Sequence, residues 1–185
     1  MYIEKDKFVS VFSEMTDENA RPSLPLWNEL PDLELYMDQV ISFISKYFEA
    51  PSSEKIITSS MVNNYVKLGT IPAPVRKKYS KMHLAYLFMV CTLKQTLDMA
   101  TIHKIIPVGL SAPQIEYIYN SFVKNQSKAY GYVTENVLSV ALPIFENEGE
   151  NQDRLNDLLL QVASAANIFK LLTEKLTDCR KNENE

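Results

Sequence analysis

The stretch from Ile57 to Leu87, ITSSMVNNYVKLGTIPAPVRKKYSKMHLAYL, restricts the fold more than any other part of this chain. It reads as a short helix, a glycine stop, a proline-rich basic connector and a second helix opening at Ser80. Thr58 or Ser59 is placed to cap the first helix, and Gly69 to end it in the left-handed conformation. At about 100° per residue, Met61, Val62, Tyr65, Val66 and Leu68 fall on one side of that helix. Ser60, Asn63, Asn64 and Lys67 fall on the other. A merely solvated face usually carries Glu and Lys, whereas an asparagine offers a donor and an acceptor that match the N6/N7 edge of adenine in the major groove. These four residues are therefore the expected base readers of a DNA-binding helix. Tyr65 lies on the apolar side and is expected in the core.

Charge points the same way. Residues 55–97 hold no Asp or Glu but seven cations: Lys55, Lys67, Arg76, Lys77, Lys78, Lys81 and Lys94. The whole chain carries −4, from 19 basic and 23 acidic residues, so the other 12 basic and 23 acidic residues leave the remainder at −11. An acidic protein with one segment stripped of acids is polarised, and the stripped segment can face phosphates. Arg76, Lys77, Lys78 and Lys81 are the expected phosphate contacts.

This stretch resembles the DNA-binding module of MerR-type regulators, whose second helix reads roughly T-L-R-x-Y-x-x-x-G-[LI] and is followed by a wing and a Tyr-Ser pair. Val62, Tyr65, Gly69 and Ile71 match, as do Tyr79 and Ser80. Asn63 stands where that family has arginine, and the wing is shortened to Ala73-Pro74-Val75-Arg76-Lys77-Lys78. A second resemblance covers more of the chain. Leu24–Val40, LPLWNELPDLELYMDQV, taken with the stretch from Ile57 to Ser80, is similar to an uncharacterised bacterial family, the domain of unknown function numbered eighteen thirty-six. That resemblance implies DNA binding through a MerR-like helix and names no target.

Elsewhere the pattern is helical. Four glycines and few alternating β-branched runs argue against a sheet protein. Phe8, Val11, Phe12 and Met15 predict a short N-terminal helix. Pro22, Pro25 and Pro31 then enforce an extended arm, with Trp27 as its anchor or as a partner contact. Asp32 is the expected cap of a helix carrying Leu33, Met37, Val40, Ile41, Ile44, Tyr47 and Phe48 up to Pro51. Ile56 and Ile57 are expected in a short extended segment that seats the wing. Ser80 opens a helix to about Thr96 that faces Leu84, Leu87, Phe88 and Cys91 inward, and Asp98 caps a short one bounded by Pro107. Ser111 with Pro113 opens the next, and Gly131 and Pro143 are expected to interrupt residues 127–147. In the final helix Leu155, Val162, Phe169 and Leu176 recur at seven with Leu158, Ala165 and Leu172 between them, a heptad seam that Leu159, Ala166 and Leu171 broaden.

The expected fold is all-α: an arm over residues 1–31, a helix-turn-helix module with a truncated wing over 32–106, and a helical C-terminal region over 107–185. A homodimer through 152–178 is expected, because helix-turn-helix proteins bind paired half-sites. Cys91 and Cys179 make no disulfide framework, and His83 and His103 have no ligand-spaced neighbours, so no metal or cofactor is expected. His83 is expected in a first turn and His103 at a solvated position. No phosphate loop, nucleophile elbow or metalloprotease motif occurs, so the chain does not read as an enzyme. With no leader signal and no long apolar run, a cytoplasmic bacterial transcriptional regulator acting on double-stranded DNA is the expected protein. The alternatives are a helical protein–protein interaction module and a small-molecule sensor in the C-terminal half.

Overall fold

The computed structural model describes residues 5–17, 23–48, 55–146 and 151–179. Among them are seven α helices: α1 (Lys5–Thr16), α2 (Met37–Ser45), α3 (Ser59–Lys67), α4 (Lys81–Leu93), α5 (Met99–Ile105), α6 (Ala112–Glu146) and α7 (Asn151–Asp178). The fold is all-α, with only two isolated β-bridges among the described residues, Leu35 with Tyr79 and Val75 with Lys78. No described helix is long and apolar enough to cross a membrane. The connector at Pro51, the acidic turn at 147–150, the tail past 179 and the side chains of Phe8 and Leu142 lie outside the described residues.

The chain packs as two compact units, 22–125 and 1–21 with 126–185. Side chains show what joins the arm and the start of α6 to the unit 22–125. Ile115 and Tyr119, from the start of α6, belong to the same buried cluster as α4. The proline arm is tied to them: the Tyr119 hydroxyl donates to the Pro25 carbonyl at 2.8 Å, and the Trp27 backbone N–H donates to Asn120 Oδ1 at 3.1 Å. Trp27 starts a single 3₁₀ turn and meets the Tyr119 ring edge-on at 6.4 Å. It is an intramolecular anchor.

Helix α4 is the axis of unit 22–125. Every residue from His83 to Cys91 is buried, because the run has no polar face and a helix apolar all round is stable only when surrounded. Helix α2 packs on it and on α3, and Phe43, Tyr47 and Phe48 converge on the Phe88 ring. Each such side chain taken out of water contributes about 1.5–3 kcal/mol. The Cys91 thiol is buried here, as its apolar neighbours imply, and burial pushes its pKa up to about 12.

Several boundaries differ from the sequence expectation. Helix α2 begins at Met37, not after Asp32, because residues 31–36 stay extended so that Leu35 can exchange backbone hydrogen bonds with Tyr79 at 2.9 and 2.8 Å. Leu35, not Ile56 or Ile57, is thus the extended partner of the basic connector, and Ile57 is buried. Leu33 is left 79% exposed, and Gln39 Oε1 accepts the Tyr36 N–H at the true helix start. Helix α4 ends at Leu93, short of Thr96. The Asp98 cap is where the sequence placed it, its Oδ1 taking the Thr101 N–H at 2.7 Å. The Ser111 start of α6 also holds, with the Ser111 N–H and hydroxyl both donating to Gln114 Oε1.

In the second unit α6 is unbroken through Gly131 and Pro143. A glycine costs a helix about 1 kcal/mol relative to alanine and does not by itself end it. Pro143 falls in the last turn, where it removes one ladder bond rather than splitting the element. Ala141 and Val137 of α6 pack against Leu155 and Leu158 of α7, and Tyr132 meets Phe169 edge-on at 6.5 Å.

Candidate nucleic-acid interface

Helix α3 is short, so its ends must be held. Thr58 is the cap, its hydroxyl accepting the Met61 N–H at 3.2 Å. At the other end Gly69 sits at φ 68°, the Thr70 N–H reaches back to the Tyr65 carbonyl at 2.9 Å and the Gly69 N–H to Val66 at 3.0 Å. That is a complete Schellman stop, and its left-handed backbone favours glycine at Gly69. Val62 and Tyr65 are buried on the inner face, while Ser60, Asn63, Asn64 and Lys67 are all exposed on the outer one. Tyr65 is core, as its wheel position implied. Its hydroxyl is buried without a hydrogen-bond partner, and burial raises its pKa to about 12.

The basic connector contains a feature with no counterpart in the sequence reading. Val75 and Lys78 exchange backbone hydrogen bonds at 3.1 and 2.9 Å, closing a two-residue turn. Its central residues, Arg76 and Lys77, both have positive φ, 51° and 64°. This is the type I′ hairpin geometry, which ordinarily selects Asn-Gly. With two long cationic side chains in place of Asn-Gly, the left-handed backbone costs each residue about 1–2 kcal/mol. Both are exposed at the tip.

The other expected phosphate contacts differ from these two. Lys78 Nζ lies 5.6 Å from the centre of the Tyr36 ring. Lys81 Nζ pairs with Asp32 at 2.7 Å and lies 5.5 Å from the Trp27 ring centre. Asp32 is therefore an ion-pair partner and not a helix cap. Lys94 stands over the Tyr65 ring at 5.9 Å. The window free of acids in sequence is thus not free of them in space, because the arm folds Asp32 back onto it.

Both histidines have structural roles: His83 is in a first turn, as expected, but with bonds beyond it, and His103 is not in solvent. His83 is buried in the first turn of α4, where Nδ1 accepts the Ser80 N–H at 3.0 Å and pairs with the Ser80 hydroxyl at 2.8 Å. A ring whose Nδ1 accepts carries its proton on Nε2, which lies 3.3 Å from the Ala73 carbonyl. The ring also meets Tyr79 edge-on at 5.5 Å. His83 thus joins the start of α4 to the connector that carries the Arg76–Lys77 turn. Burial holds its pKa below the ordinary 6.5, against smaller opposing effects of the Ala73 carbonyl and Glu34. The Ser-x-x-His spacing at Ser80 was the legible signal, since His83 stands where a capping box has Glu. His103, expected in solvent, is half-buried, and its Nε2 hydrogen-bonds the Thr70 hydroxyl at 2.8 Å. It ties α5 to the stop of α3. Among the described residues no cluster of three or more His, Cys, Asp or Glu is arranged to hold a metal ion.

Fold and surface together define an all-α domain built round one buried helix, with a polar helix face and a cationic turn exposed on it. The chain belongs to the family described as Domain of unknown function (DUF1836), whose model matches residues 25–122. The matched segment nearly coincides with the compact unit 22–125, so the family domain is the unit that carries α3 and the turn. No curated protein and no solved structure matches the chain.

Proposed function

We propose that this domain is the DNA-binding part of a transcriptional regulator, with α3 as a MerR-like recognition helix in the major groove. Ser60, Asn63, Asn64 and Lys67 read base edges. The Arg76–Lys77 hairpin is the wing, reduced to two residues, and it holds phosphates together with Lys78. Lys81 is engaged by Asp32 and positions the arm instead.

The observation that carries this reading is the strained turn. Positive φ at two successive non-glycine residues is costly, and such strain persists where the side chains are needed. Here the side chains are two exposed cations, in a connector that leads directly from a helix whose outer face is Ser, Asn, Asn and Lys. Phosphate contacts supply affinity and register, and the asparagines supply sequence discrimination.

Selection of bound fragments from random and genomic duplexes by the purified chain tests the proposal. Enrichment of a common motif, with affinity falling steeply as salt rises, is the expected result. Equal recovery of all duplexes would refute base reading. A weak salt dependence would refute phosphate contact and favour a helical protein-interaction surface.

A further inference from the structure

The stripe of α7 is covered at one end only. Leu155 and Leu158 are buried against Ala141 and Val137, but the positions that continue the same stripe are open, among them Val162, Phe169, Leu172 and Leu176. Phe169 is 50% exposed although it touches Tyr132. Ile168, on one flank of the stripe, is 61% exposed, while Leu160, 67% exposed, lies on the opposite side of the helix. The open face continues into a groove of about 370 Å³ between α1, α6 and α7, lined by Val11, Phe12, Val133, Val137, Leu159 and Val162 among others. Thr134 borders the groove, but its hydroxyl donates to the Tyr130 and Gly131 carbonyls and adds no free polar group.

We infer that a second copy of this chain covers this face, two α6–α7 hairpins packing as a four-helix bundle in which apolar side chains of one α7 enter the groove of the other. Three observations select a second copy over other occupants. From Leu158 to Phe169 there is no charged residue, and of the residues lining the groove only Lys7 is charged, so the central part of two identical faces meets without like-charge repulsion. The spacing at seven is self-complementary, as an isologous contact requires, and its breadth suits bundle packing better than a narrow two-helix seam. The area also fits. The open stretch from Leu159 to Leu176 is about 27 Å long, and with a second helix beside it the face is about 20 Å wide, roughly 540 Å² from each partner and about 1,000 Å² in all, the size a specific interface has to reach. A monomer rarely leaves a contiguous apolar surface of this extent open. The inference concerns unit 1–21 with 126–185 and does not depend on whether α3 reads DNA.

Sedimentation of the unmodified full chain at about 10 µM, without DNA, is expected to give twice the chain mass of 21.2 kDa. Val162→Glu combined with Phe169→Glu, both at half-exposed positions, is expected to weaken association at least 100-fold, on the order of the cost of an unpaired charge in an interface, with helical circular dichroism unchanged. Leu33→Glu, on the other unit, is expected to remain a dimer. A monomeric unmodified chain would overturn the inference whether or not the variants fold. A dimer that survives the double change with its helicity intact would overturn it as well, since another surface would then be the seam. If the unmodified chain is monomeric and decanoate raises its melting temperature, the groove is a site for an apolar small molecule instead.

Discussion

The Arg76–Lys77 turn makes opposite demands on folding and on binding, and that opposition can be measured. Replacing the pair by Arg76→Asn and Lys77→Gly installs the residues a type I′ turn prefers while removing two charges. With φ at 51° and 64°, relief of left-handed strain is worth about 1–2 kcal/mol per residue. Asparagine recovers only part of it, and glycine returns about 0.4–1 kcal/mol to the entropy of the unfolded chain. The net expectation is a gain of about 1–2 kcal/mol, or on the order of 5 °C in the melting temperature of a unit this size. Binding should move the other way. Each phosphate contact contributes roughly 0.9 to the slope of log affinity against log salt, so the double variant should be flatter by roughly 1.8. Lys77→Ala separates the two effects: it keeps the strain and removes one charge, so only the slope should fall, by roughly 0.9. Thermal melts by circular dichroism and fluorescence anisotropy over a salt series give both quantities. A double variant no more stable than the parent would refute the strain argument. An unchanged salt slope would remove the turn from the DNA interface.

Three further expectations follow from buried or exposed groups. Asn63→Ala and Asn64→Ala should each cost about 1–3 kcal/mol at one or two operator positions only and change folding by less than about 0.5 kcal/mol, since both are exposed; binding titrations on single-base operator variants check this, and an unchanged ratio of operator to random duplex would refute base reading. Tyr65→Phe should stabilise the domain by roughly 1 kcal/mol, because it removes a buried hydroxyl that has no partner; a urea melt showing a loss would mean that the hydroxyl is bonded. His83 has its folded pKa below the ordinary 6.5, so the unfolded chain binds more protons in the interval between the two values. Stability should therefore be level above about pH 6.5 and fall as the pH drops through that interval, by at most about 1.4 kcal/mol per unit. His83→Gln should flatten that part of the profile, and an identical pH profile in the variant would assign the loss to other groups.

What the sequence by itself determined was local. The glycine stop at Gly69, the caps at Asp98 and Ser111, and the inward and outward faces of α3 each depend on neighbours within about one helical turn, and all were legible from spacing. For α4 the spacing gave only an inward face of Leu84, Leu87, Phe88 and Cys91, whereas the structure buries all nine residues from His83 to Cys91, because neighbours surround the helix on every side.

Tertiary structure decided whatever depends on residues far apart in the chain. Asp32 looked like a helix cap because proline precedes it, yet the backbone hydrogen bonds of Leu35 go to Tyr79, and that pairing moves the helix start to Met37 and hands Asp32 to Lys81. His103 looked solvated because its partner, Thr70, lies on another element. The Arg76–Lys77 turn was the least readable, since neither residue favours positive φ and only closure between Val75 and Lys78 imposes it. The stripe of α7 carried the opposite ambiguity: a helix covered by its own chain and one with an open apolar face share one pattern, and only the exposure of Val162, Phe169 and Leu176 tells them apart. Periodicity records which face avoids water, but not what covers it, because the hydrophobic effect is non-directional and any apolar neighbour satisfies it.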